Sequence, residues 1–168
     1  MNHIIKWLAG CLVGLPACAV AETFENAYIS FDLPDGWECQ QEGTEFVCHA
    51  PSPSGKDRPA IMIMTAKEPG PEDTLAAYME HLSKVPPGTN SSLFKTPTQV
   101  NVDGTLWIDA TWFSSEVLNY YTRYMATVKD NLAVLYTFSV HKSHYQDFAG
   151  VSTLAVQTLQ VKPQATRH

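Results

Sequence analysis

The stretch Gln99-Val100-Asn101-Val102-Asp103-Gly104-Thr105-Leu106-Trp107-Ile108-Asp109-Ala110-Thr111-Trp112-Phe113 decides the fold. An Asp-Gly pair between two alternating segments is the strongest short-range hairpin signal, because the tight turn needs positive φ at both central residues. Along the second arm, Leu106, Ile108, Ala110 and Trp112 point one way, and Trp107, Asp109, Thr111 and Phe113 point the other. A second hairpin follows, with Tyr120 to Val128 and Leu132 to Val140 flanking Lys129-Asp130-Asn131. In its last arm Leu132, Val134, Tyr136, Phe138 and Val140 line one face. Two consecutive hairpins predict an antiparallel sheet.

Upstream, Tyr28 to Leu33 alternates as a half-buried strand, and Pro34-Asp35-Gly36 is turn chemistry. Trp37 to Gln41 and Glu45 to His49 flank Glu42-Gly43-Thr44 as a third hairpin, in which Cys39 stands opposite Cys48. Directly opposed strand residues lie within disulfide reach. The pair is therefore predicted to be bonded, with a contribution of about 2–3 kcal/mol for so short a loop. Residues 50–59 read as a loop, and Ala60 to Thr65 as a strand covered on both faces. Leu75, Tyr78, Met79, Leu82 and Val85 mark a helix, with Asp73 as the expected N-cap and Pro86-Pro87-Gly88 as its stop. Residues 88–95 read as a loop. Ser143 and Gln146 form a capping box for a second helix, whose inner stripe is Phe148, Val151, Ala155 and Leu159. These elements predict one α+β domain over residues 22–168, a mainly antiparallel sheet flanked by helices.

The first 21 residues are expected to stand apart from that fold. Lys6 precedes the uncharged run Trp7 to Leu15, and Ala19-Val20-Ala21 offers an A-x-A cleavage site. This is the pattern of a secretory signal peptide, too short in its apolar part to span a bilayer. Removing 21 residues from 168 leaves 147, and loss of Lys6 moves the formal charge from -6 to -7. Cys11 and Cys18 leave as well, so Cys39 and Cys48 remain. Leu15-Pro16-Ala17-Cys18 also resembles a bacterial lipobox, which would anchor the chain at Cys18. An export signal and a disulfide predict the periplasm, with secretion as the alternative. No later stretch is apolar enough to be a transmembrane segment.

The chain is 45% hydrophobic and 17% charged. That hydrophobic share excludes a mainly disordered chain. Net acidity argues against nucleic acid as a partner, since phosphates demand a basic face. No phosphate-binding or dinucleotide glycine pattern occurs, no nucleophile elbow, and no C-x-x-C. Catalytic residues and cofactors are accordingly not expected. His141 and His144 are a candidate metal pair, weighed against two solvated loop histidines. Trp107, Trp112, Phe113, Tyr120, Tyr121, Tyr124 and Arg123 crowd two neighbouring strands. They are either core or, for Trp107, Tyr121 and Arg123, an amphipathic recognition patch of the composition that dominates binding hot spots.

The stretch Phe31-Asp32-Leu33-Pro34-Asp35-Gly36-Trp37 resembles the opening strand and turn of the Mog1/PsbP-like domains. The helix around Leu75-Ala76-Ala77-Tyr78, the Val100 to Gly104 hairpin, and the closing segment Tyr145 to Leu159 follow the same plan. The resemblance covers residues 27–161. It implies a central antiparallel sheet sandwiched between helices, and a binding or assembly role without a catalytic motif. Family members include a partner of a small nuclear GTPase, an extrinsic photosystem II subunit and many exported bacterial proteins. The expectation is thus an exported, non-enzymatic module that recognises a protein or an envelope component. A small-molecule or metal-binding protein and a hydrolase are the alternatives.

Overall fold

In the computed structural model, residues 22–52, 58–85, 93–113 and 119–162 are described. The readings of residues 1–21, including Cys18, lie outside them, as do Pro86-Pro87-Gly88 and Pro163. The large sheet grows from the two long hairpins. Strands β6 (Phe94–Val102) and β7 (Thr105–Trp112) meet at Asp103-Gly104, and β8 (Tyr120–Lys129) and β9 (Leu132–His141) meet at Asp130-Asn131. All four turn residues have positive φ, from 47° at Asp103 to 80° at Gly104, as two-residue hairpin turns require.

Strands β3 (Glu38–Glu42), β4 (Glu45–His49) and β5 (Ala60–Lys67) extend the sheet on the side of β9. The order is β3-β4-β5-β9-β8-β7-β6, and every pairing is antiparallel. Cys39 pairs in register with Cys48, and the two form a disulfide, as expected from the hairpin. A second sheet of three strands, β1 (Glu22–Glu25), β2 (Ile29–Leu33) and β10 (Gln160–Val161), has β2 at its centre. Neither β1 nor β10 is predicted from sequence. Strand β1 pairs with β2 along all four of its residues, and Phe24 is centred 5.0 Å from Phe31 and 4.8 Å from Phe46.

The register divides the large sheet into two faces. Val134, Tyr136, Phe138 and Val140 share one face with Met64, Met62, Trp107, Arg123 and Tyr121. Over that face lie Ile29, Phe31 and Leu33 of β2, with Ala155, Val156 and Leu159, in a single buried core. The opposite face carries Leu135, Thr137, Ala126, Tyr124 and Trp112. Helix α1 (Leu75–Ser83) packs there against β6, β7 and β8.

Two local expectations change. The N-cap of α1 is Thr74, whose Oγ1 accepts from the Ala77 N–H at 3.1 Å, and not Asp73. Asp73 turns back instead, accepting from the Gly70 N–H at 2.7 Å and pairing with Lys67 at 2.8 Å. The second helix is also much shorter than the capping box implies. Lys142–His144 and Val151–Thr153 are 3-10 turns, and only Leu154–Thr158 is α-helical (α2). The Ser143 hydroxyl is engaged by His141 Nδ1 at 2.7 Å and so does not reach down the helix as a cap. The stripe itself survives, because Phe148 and Val151 pack on the core and Ala155 and Leu159 are in it. The covering of this face is therefore a three-stranded sheet with a five-residue helix.

Candidate functional site: a cleft beneath the long helix

Trp107, Tyr121 and Arg123 do share one face, but it is the covered one. Trp107 is 0% exposed and belongs to the core, which decides between the two readings left open by the sequence in favour of core over a recognition patch at that residue. The β2 layer closes over it, and its indole N–H is left with no hydrogen-bond partner. Arg123 is committed inside the fold. Its Nε and Nη2 donate to the two oxygens of Asp109 at 2.9 and 2.8 Å, and its Nη1 donates to Thr153 Oγ1 at 2.9 Å. Burial works against the guanidinium charge, yet the Asp109 bond and charge outweigh it and raise the pKa. Arg123 thus fastens the 151–153 segment to the sheet, and Tyr136 helps by donating to Ser152 O at 2.8 Å. Tyr121 is half-buried, with Tyr145 edge-on at 5.0 Å and Phe113 at 5.4 Å. Together with Arg123 these rings leave a cavity of only 60 Å³.

The histidine pair fares similarly. His144 Nδ1 is 3.2 Å from Asp147, and the His141 and His144 rings are 6.3 Å apart. Among the described residues, no three His, Cys, Asp or Glu side chains gather as a metal site.

The other face is open. Between α1 and the sheet lies a cleft of 540 Å³, lined from the helix by Ala77, Tyr78, His81 and Leu82. From the sheet come Trp112, Tyr124, Leu135 and Thr137, with Glu72 and Asp73 at the helix N-terminal end. Ligand pockets typically measure about 300–1,000 Å³, so the size suits a bound molecule. The reason for the gap is in α1 itself. It is amphipathic and faces the sheet, but none of its residues is fully buried. Beneath it, Trp112 and Tyr124 stack edge-on at 5.1 Å, and Phe94 meets Trp112 at 5.9 Å. Both partners on the sheet are half-buried.

One end of α1 is anchored tightly. Asp73 accepts from Lys67 and Gly70 through one oxygen and from the Tyr78 hydroxyl at 2.8 Å through the other. The Lys67 hydrogen bond, then that from Gly70, lowers the Asp73 pKa to about 2. Burial, and then the Asp73 carboxylate, push the Tyr78 phenol well above its ordinary value.

Trp112, Tyr124 and Tyr78 are the aromatic residues that line the cleft, on the sheet face opposite the candidate patch of Trp107, Tyr121 and Arg123. A usable signal existed. The α1 stripe has to pack on one sheet face, and Ala110 and Trp112 alternate onto the face opposite Trp107.

The arrangement of sheets and helices is that of the Mog1/PsbP-like fold. The cyanobacterial PsbP protein CyanoP of Synechocystis sp. PCC 6803 matches with a TM-score of 0.58 at 11% identity, over 91% of this chain and 100% of that one. LpqN of Mycobacterium tuberculosis, involved in cell envelope biogenesis, matches at 0.59 and 10% identity over 85% and 86% of the two chains. The Ran-binding protein Mog1p of Saccharomyces cerevisiae matches at 0.50 and 11% identity, over 86% and 96%. The chain also spans about half, 51%, of a longer Bacteroides thetaiotaomicron protein. No family model matches the sequence, and no curated protein matches it either. Among the described residues, no helix is long and apolar enough to cross a membrane.

Proposed function

We propose that this chain is an exported, non-enzymatic binding or assembly module of the periplasm, and that it recognises a protein or an envelope component through the cleft beneath α1. The observation that carries the reading is the 540 Å³ cleft itself, whose walls are half-buried aromatic side chains, while Trp107 on the opposite face is sealed. Residues 1–21 supply the export signal, and the Cys39–Cys48 disulfide suits an oxidising compartment. The neighbours in fold include a Ran-binding protein and a protein of envelope biogenesis, which fits recognition as the role. The polar groups closest to the cleft serve structure: Asp73 holds α1 to β5 and to its own helix.

A photo-crosslinking residue at Ala77, inside the cleft, tests the reading against one at Gln40 on the distant hairpin. After irradiation of intact cells, a discrete adduct is expected at position 77 and none at 40. Equal adducts at both positions, or none at 77, would overturn it.

A further inference from the structure

We propose that the cleft beneath α1 takes an organic cation with an apolar body, a ligand of the alkylammonium class. The inference rests on the cleft being the binding site and goes further by naming the chemistry of its occupant. Three observations converge. The walls are aromatic, with Tyr78 on the helix and Trp112 and Tyr124 on the sheet. Aromatic faces carry the negative end of the ring quadrupole and attract cations, most strongly when water is excluded. Glu72 and Asp73 stand at one end of the same cleft, and neither Lys nor Arg is among its lining residues. The nearest ammonium bonded there, Lys67, is held on Asp73 at 2.8 Å. Lys67 offsets Asp73, so the uncompensated carboxylate at that end is Glu72, which outweighs the half positive charge of the α1 dipole.

Other ligand classes fit less well. An anion would meet Glu72 and Asp73 in a cleft whose nearest ammonium, Lys67, is already committed to Asp73, and would lose hydration without a free cationic partner among the lining residues. A bare metal ion needs several converging oxygen or nitrogen ligands. Among the described residues no such group of acids, histidines or cysteines is assembled. An alkylammonium head is weakly hydrated, so aromatic rings and one or two carboxylates can replace its water. Its alkyl body then covers Ala77, Leu82 and Leu135.

Three twelve-carbon amphiphiles with different heads test this by calorimetry on the purified protein, each below its micellar concentration: dodecyltrimethylammonium, dodecyl maltoside and dodecanoate. One dodecyltrimethylammonium is expected per chain, bound about tenfold or more tighter than dodecanoate, with the maltoside between them. Glu72→Gln is expected to narrow the cation-to-anion ratio by about threefold and to leave maltoside binding unchanged. Glu72 is exposed, so this variant keeps the fold. Ala77→Leu narrows the cleft and is expected to weaken binding of the cation and of the maltoside alike.

Dodecanoate binding as tightly as the cation, or the maltoside matching it, would overturn the ligand class and leave the cleft reading standing. Cation binding untouched by both Glu72→Gln and Ala77→Leu would also overturn it, as surfactant adsorbed elsewhere. If no amphiphile binds while the Ala77 crosslink forms, the class alone fails; if neither occurs, both readings fail.

Discussion

On one face of the large sheet Trp107 is sealed, Arg123 is clamped by Asp109 and Thr153, and the cavity beside Arg123 and Tyr121 measures 60 Å³. On the other, Ile108, Ala110 and Ala126 of the sheet are buried but no residue of α1 itself is, and a cleft nine times larger, 540 Å³, remains. The same strands make both faces, so the difference lies in what covers them. The three-stranded sheet and α2 bring Ile29, Phe31, Leu33, Ala155 and Val156 into the buried core, whereas the nine-residue α1 contributes no buried residue. The largest buried side chains are thus concentrated on one side of the molecule, and the proposed recognition uses the other.

The comparison breaks most visibly at Trp107. Trp107→Ala should cost about 3–5 kcal/mol, because it empties a sealed core site. Trp112→Ala, on the open face, should cost about half as much. Thermal or urea melts of the two variants check this, and equal losses would erase the distinction between the faces. Next comes the clamp. Arg123→Met leaves Asp109 buried without its partner and should cost about 2–4 kcal/mol, while the double variant with Asp109→Leu should recover much of it. Reducing the Cys39–Cys48 disulfide should then cost about 2–3 kcal/mol, read from melts with and without reductant.

The smallest effect sharpens the other face. The Asp73 carboxyl is held at about 2, below its ordinary 3.8, by Lys67 and Gly70. Its stabilising contribution is therefore complete above the unfolded value and disappears as pH falls through the folded one. Melts of the natural protein and Asp73→Asn should differ by a constant few degrees above pH 5 and converge toward pH 2. A difference that persists at pH 2 would remove the Lys67–Asp73 pair as the anchor of α1.

How much of this was legible beforehand depends on the range of the interaction. Asp103-Gly104, Asp130-Asn131 and the opposed Cys39 and Cys48 are local, and each hairpin forms where expected, with Cys39 opposite Cys48 and with Lys129 pairing with Leu132 as part of the strand and not of the turn. Strand β10 was hidden because its partner is far along the chain, Gln160 pairing with Ser30, whereas β1 pairs locally with β2, Glu25 opposite Ser30, across a connection that carries no Gly or Pro turn signal. The Ser143 capping box was real chemistry aimed elsewhere, because His141 takes the hydroxyl. For the site, alternation correctly sorted Trp107 from Trp112 into opposite faces. It could not say which face would be sealed, as that depends on the covering layer formed by the two chain ends.

Hydrogen exchange read by mass spectrometry puts the two faces in one experiment, with the protein alone and with dodecyltrimethylammonium. Amides of α1 should exchange far faster than those of β8 and β9 in the free protein, and should slow on addition of the cation, together with the strand ends carrying Trp112 and Tyr124. Protection of the Tyr121–Tyr145 side, or an α1 already as slow as β9 and unchanged by ligand, would contradict the assignment of binding to the open face.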